Sequence, residues 1–274
     1  VHSKFKNRNL IKRNIFALQV WKMMRLLVVF VIALSLYSCS SSDKTDINTD
    51  DPQRAFSIAK RNYDKADYLQ SIQDFSYIKV RFSGSQFVDD AQYYLAMSHY
   101  RREEYILAAY EFDYLLKNYP TSDLAEQARY DVAMCYYNLS PEYDLDQTYT
   151  RYAITSFQLF LELYPSSSKA PEAEAKILAL RNKLALKAFM SAEVYKKLED
   201  YRAAVIYYDH ILADYFETDY ADDALYEKIV ILADRSRYAE AREEIARFED
   251  KFKNSPYYSR VQTIKNRIPL TSGK

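Results

Sequence analysis

Five segments of this chain carry one apolar pattern, and no other feature restricts its fold as tightly. They read "YLQSIQDFSYIKVRFS" from Tyr68, "YILAAYEFDYLLKNYP" from Tyr105, "TRYAITSFQLFLELYP" from Thr150, "YRAAVIYYDHILADYF" from Tyr201 and "YAEAREEIARFEDKFK" from Tyr238. Three positions on, each has a small residue: Ser71, Ala108, Ala153, Ala204 and Ala241. Large residues follow at Phe75, Phe112, Phe157, Tyr208 and Ile245, then at Ile78, Leu115, Phe160, Ile211 and Phe248. Spacings of 3, 4 and 3 place these residues on one stripe of a helix. An aromatic closes each segment, at Phe82, Tyr119, Tyr164, Tyr215 and Phe252. Pro120 and Pro165 come directly after two of them, where a helix must stop.

A second helical segment precedes these. Ala59, Ala96 and Ala133 lie 37 residues apart in "FSIAKRNY", "YYLAMSHY" and "YDVAMCYY". Small residues at matching places let two helices approach closely. The paired pattern resembles the tetratricopeptide repeat, whose period is about 34 residues. One helix pair cannot bury both its faces, so neighbouring pairs must stack. The expected fold is all-α, a tetratricopeptide-repeat solenoid of five helix pairs over residues 53–268. The third pair gains eight residues around "NLSPEYDLDQTY", which predicts a longer loop. A further 14 lie within "KAPEAEAKILALRNKLALKAFMSAEVYKKL". Pro171 suits a first helical turn. No Gly or Pro interrupts Glu172 to Leu198, which predicts one helix of 27 residues opening the fourth repeat.

Near the start, Leu26 to Tyr37 is apolar over 12 residues, with Lys22 and Arg25 before it. That is about 18 Å of helix, short of the roughly 20 residues that cross a bilayer. It has the layout of a secretory signal. Leu36-Tyr37-Ser38-Cys39 resembles a bacterial lipobox, apart from Tyr37, where a small residue is usual. The resemblance implies lipidation of Cys39; an ordinary signal with a chance cysteine is the alternative. Ser40 rather than Asp after the cysteine implies the outer membrane. Residues 1–38 are thus expected to be a signal peptide, with 1–22 a misassigned start ahead of Met23 and Met24. The polar stretch "CSSSDKTDINTDDP", residues 39–52, is expected to be a lipidated flexible tether, and residues 269–274 a flexible tail.

Two glycines and seven prolines argue against a turn-rich β fold. Seven basic residues and no acids fall before residue 39, so the rest of the chain holds 31 basic side chains against 38 acidic, a net of −7. That balance disfavours a nucleic-acid partner, which needs a basic footprint. With Cys39 assigned to lipid, Cys135 has no disulfide partner and reads as a small buried residue. The three histidines, His2, His99 and His210, are scattered, and no phosphate loop, zinc motif or nucleophile elbow occurs. Asp89-Asp90 and Asp222-Asp223 read as helix-start charges. No catalytic residue, metal site or cofactor is expected.

Together the lipobox, the five repeats, the long third loop and the long helix opening the fourth repeat resemble the BamD family. This is the lipoprotein family of the outer-membrane β-barrel assembly machinery. The resemblance covers residues 39 to about 255 and is best in "KILALRNKLALKAFMSAEVYKKLEDYRAAVIYYDHILADYFET" and "LYPSSSKAPEAEAK". Phe216 stands where a proline is usual after Tyr215. The resemblance implies a non-enzymatic protein, lipid-anchored on the periplasmic face of the outer membrane. Its implied partners are the periplasmic domains of a BamA-like barrel-forming subunit and unfolded barrel-protein segments. In this repeat class, positions of the first helices line an inner groove. They fall on Phe56, Lys60 and Tyr63, then Tyr93, Met97 and Tyr100, then Tyr130, Met134 and Tyr137. Aromatic and methionine surfaces suit varied extended peptides, although the same residues also read as packing between repeats. The later repeats have Phe189, Glu193 and Lys196, then Tyr226, Val230 and Ala233. That mixed set implies client capture by repeats one to three and subunit docking by four and five. Two other functions fit the residues: a general scaffold lipoprotein of another envelope complex, and a glycan-binding outer-membrane lipoprotein.

Overall fold

The computed structural model describes residues 47–269. Cys39, the signal segment and the tail beyond Pro269 lie outside them. The described residues form eleven helices and no strand. The first pair is α1 (Pro52–Asp64) with α2 (Tyr68–Arg81), and the second α3 (Val88–Arg101) with α4 (Tyr105–Asn118). Next come α5 (Ala125–Leu139) with α6 (Thr148–Leu163), then α7 (Ala170–Lys197) with α8 (Tyr201–Asp214). The fifth pair is α9 (Ala221–Asp234) with α10 (Tyr238–Lys251), and α11 (Tyr258–Arg267) follows it. This is the tetratricopeptide solenoid that the repeat pattern predicts.

The repeated stripe is the core. All fifteen of its small and large residues, from Ser71 to Phe248, are at most 2% exposed. Ala59, Ala96, Ala133 and Ala192 are fully buried on the first helices. Each closing aromatic caps its helix, with its backbone N–H bonded to the carbonyl four residues back. Its own carbonyl then accepts the N–H of a Ser or Thr three residues on: Ser85, Ser122, Ser167, Thr218 and Ser255. Phe216 sits inside one of these turns, so the turn forms without proline there.

Within a pair the link is a tight left-handed turn. Ala66, Glu103, Glu199 and Ser236 have φ near +60°. In the first turn, Ala66 N–H bonds Tyr63 O and Asp67 N–H bonds Asn62 O, and the other three turns repeat this double closure. Asp67 and Asp200 then cap the next helix by accepting from Gln70 N and Ala203 N. The third pair lacks this turn. Its link, residues 140–147, is strapped to α7: Lys183 Nζ bonds Ser140 Oγ at 2.9 Å, and Lys187 Nζ bonds Leu145 O at 2.8 Å.

Helix α7 runs 28 residues from Ala170, two residues earlier than the expected start, with Pro171 in its first turn. Ala173, Leu180 and Leu184 join the core of repeat three. Ala188 and Ala192 join that of repeats four and five. Ile47–Asp51, expected within the tether, lie against repeat one, with Ile47 in its apolar cluster.

Candidate peptide-binding face

First helices meet across repeats as well as within them. Helix α1 touches α3, and α9 touches α11. Side chains make the same links at a step of 38 residues. Arg101 Nε donates to Tyr63 Oη at 3.4 Å, and Asn138 Nδ2 to Tyr100 Oη at 2.7 Å. Tyr93 donates its hydroxyl to Asp131 Oδ2 at 2.9 Å. Two of these links are equivalent, because 63 and 100 differ by one repeat, as do 101 and 138.

The expected groove residues divide into two sets. Tyr93 and Tyr130 are buried, at 9% and 6% exposure. Tyr93 leans on Phe112 at 5.5 Å, and Tyr130 is wedged between Phe157 and Phe160 at 5.7 and 5.3 Å. Both rings thus pack inside their own helix pairs, and Tyr93 also reaches the next repeat through Asp131. Phe56 is half-buried and stacks on Phe87, which caps α3, at 5.6 Å, so it packs between repeats one and two. Tyr63, Met97, Tyr100, Met134 and Tyr137 stay partly open. Cations sit over this aromatic row: Lys60 Nζ is 5.5 Å from the Tyr63 ring, and Lys176 Nζ is 4.4 Å from that of Tyr137. Arg101, Asn138 and Lys176 escaped the sequence reading. For Arg101 and Asn138 the signal is the 37-residue offset applied one position beyond Tyr63 and Tyr100; Lys176, 39 residues from Tyr137, has no such signal.

Beneath the row lies a buried carboxylate. Burial pushes the Asp131 carboxyl up to about 6, against the hydrogen bonds from Gln127 and Tyr93 that favour its charged form. Repeats four and five differ in chemistry. Lys196 is held by Glu193 at 2.7 Å and by Glu227 at 2.9 Å. Tyr208 donates to Glu193 at 2.6 Å. Tyr226 stacks on Tyr257 at 4.5 Å, and Phe189 packs on Tyr208. Val230 is partly open and Ala233 buried. This surface presents paired charges where the earlier one presents aromatic rings and sulfur.

Among the described residues, no group of three His, Cys, Asp or Glu side chains is placed to hold a metal. No helix there is long and apolar enough to cross a membrane. Asp89-Asp90 and Asp222-Asp223 lie in the first turns of α3 and α9, where the helix dipole favours acids. Cys135 is buried, and burial raises its thiol pKa.

A stack of helix pairs with this repeat is a tetratricopeptide solenoid. The chain matches the family YfiO, described as outer membrane lipoprotein, over residues 48–244, and it belongs to that family. No curated protein matches the chain. Among solved structures, it is similar to a TPR repeats protein from Bacteroides fragilis, at 14% identity and a TM-score of 0.38, covering 80% of this chain and 85% of that one.

Proposed function

We propose that this protein is a lipid-anchored, non-catalytic component of outer-membrane β-barrel assembly, held by lipid on Cys39 at the periplasmic face. Repeats one to three take extended segments of unfolded barrel proteins, and repeats four and five dock a BamA-like barrel-forming subunit. The observation that carries this reading is the row Tyr63, Met97, Tyr100, Met134 and Tyr137, partly open on consecutive first helices. Rigid aromatic faces give large contact area at low entropy cost, and methionine adapts to differing side chains. The inter-repeat hydrogen bonds fix the row before any ligand arrives, which lowers the ordering cost of binding. The lipid follows from the Leu36-Tyr37-Ser38-Cys39 motif. Family membership supports the outer-membrane address.

The test is a split measurement on one variant set. Tyr63→Ala with Tyr100→Ala, and Tyr100→Ala with Tyr137→Ala, should weaken binding of a barrel-strand peptide about 10-fold or more, given 1–3 kcal/mol for a truncated aromatic anchor. Co-purification of the barrel subunit should persist. Loss of the complex with peptide binding intact would reverse the division of labour. Mass spectrometry of the mature protein should find acyl chains on Cys39, and Cys39→Ser should lose them.

A further inference from the structure

The first described residues are tied to the array. Ile47 packs into the cluster of Ala55, Phe75 and Ile78. Asp50 pairs with Arg81 at 2.9 Å, and Asp51 caps α1 by accepting from Gln53 N at 2.9 Å. Cys39 precedes Ile47 by eight residues. Eight residues reach at most about 28 Å. A lipid on Cys39 therefore holds repeat one within that distance of the bilayer, whatever path the linking residues take.

Helix α1 is the first helix among the described residues, and no described helix covers its outward stripe. That stripe is Arg54, Ser57, Arg61 and Lys65, all exposed, alongside the face that buries Ala55, Ile58, Ala59 and Asn62. Among the described residues, no carboxylate lies within ion-pair distance of Arg54, Arg61 or Lys65; the neighbouring Asp64 is taken by Lys60 at 2.5 Å. The other nearby acids, Asp50 and Asp51, are engaged by Arg81 and by the first turn of α1. The far end of the array is different. On α11, Lys265 is paired with Glu249 at 2.7 Å and Arg267 with Asp234 at 3.8 Å, while Arg260 lies 5.7 Å from the Tyr257 ring.

We propose that the outward face of α1 is a membrane-facing cap, on which Arg54, Arg61 and Lys65 meet the phosphate headgroups of anionic lipid. The proposal rests on the lipid-anchor reading of Cys39. Each basic side chain near an anionic surface strengthens binding roughly 5-fold, within a screening distance of about 8 Å at physiological salt. Three together shift the docked-to-undocked ratio about 100-fold. Lipid and cap then act as two signals, which fixes the orientation of the array as well as its address.

Full-length protein in vesicles tests this. A fluorophore goes on Ser57→Cys in one preparation and Ser259→Cys in another; the buried Cys135, with its raised thiol pKa, leaves labelling to the introduced site. The vesicles are phosphatidylcholine with or without phosphatidylglycerol, and carry a quencher on the headgroup. The expected result is strong quenching at Ser57 with phosphatidylglycerol, little at Ser259, and a large loss at Ser57 in high salt or in the combined Arg54→Gln, Arg61→Gln, Lys65→Gln variant at unchanged helicity. Equal quenching at both sites, or quenching at Ser57 indifferent to lipid charge and variant, would overturn the proposal. Flotation and the mass of Cys39 are measured on the same samples. A lipidated, floating protein with Ser57 unquenched overturns the cap alone, whereas an unlipidated Cys39 overturns the anchor reading and the cap with it.

Discussion

At the residue scale, local strain and burial sit where a repeat pattern cannot display them. Four non-glycine residues occupy the left-handed region, Ala66, Glu103, Glu199 and Ser236, at a cost of roughly 1–2 kcal/mol each. A sequence with two glycines gives no hint of such turns, because the usual marker is missing. Glu103→Gly and Ser236→Gly should each stabilise the protein by about 0.5–1 kcal/mol, read as a rise in the urea midpoint at unchanged slope. The groove residues carry a similar lesson. Tyr93 and Tyr100 share one helical stripe in the sequence, yet Tyr93 is buried on Asp131 and Tyr100 is partly open. Which of them faces a neighbour depends on where the next repeat lies. Asp131 supplies a pH test. Its carboxyl pKa is raised in the folded state to about 6 from 3.8. The folded protein therefore holds that proton more tightly, and the associated stability is present at low pH and lost as pH rises from about 4 to 6. Asp131→Asn should flatten this window and raise stability at pH 7 by about 1–3 kcal/mol. An unchanged pH profile of the thermal midpoint would contradict the assignment.

At the element scale, the helices were nearly all legible. The spacing of 3, 4 and 3 identified every second helix, and the buried stripe follows it residue for residue. Small residues at 37-residue intervals located the close approach of helices, and Ala59, Ala96 and Ala133 are fully buried. Ala96→Leu or Ala133→Leu should overpack those contacts at about 1–3 kcal/mol. Thermal unfolding unchanged in both would show that these alanines do not face a partner helix. The turns between pairs were half legible. The closing aromatic marked them, but the Ser or Thr three residues on is the other half of the motif, and it forms equally after Pro120, Pro165 and Phe216. In the third link the extra residues could be counted but not placed. Their position follows from Lys183 and Lys187, 43 and 42 residues from Ser140 and Leu145, a distance over which no periodicity speaks.

At the scale of the whole array, stacking turns local pairs into one continuous inner face. Helix α7 belongs to two cores at once, to repeat three through Leu180 and Leu184 and to repeats four and five through Ala188 and Ala192. At 1.5 Å per residue it spans about 42 Å, and beyond Pro171 in its first turn no Gly or Pro offers a hinge. The aromatic half and the charge-paired half are thus held on a common rod, as the proposed division of labour between the two halves requires. The inner face is distinct from the outer one, where Tyr110 stands 64% exposed on α4. The most direct test of client capture places a photo-crosslinking amino acid at Met97, at Met134 and, as a control, at Tyr110, in cells making barrel proteins. Crosslinks to unfolded barrel proteins should form from positions 97 and 134 and not from 110. Crosslinks from 110 with none from 97 or 134 would contradict the account.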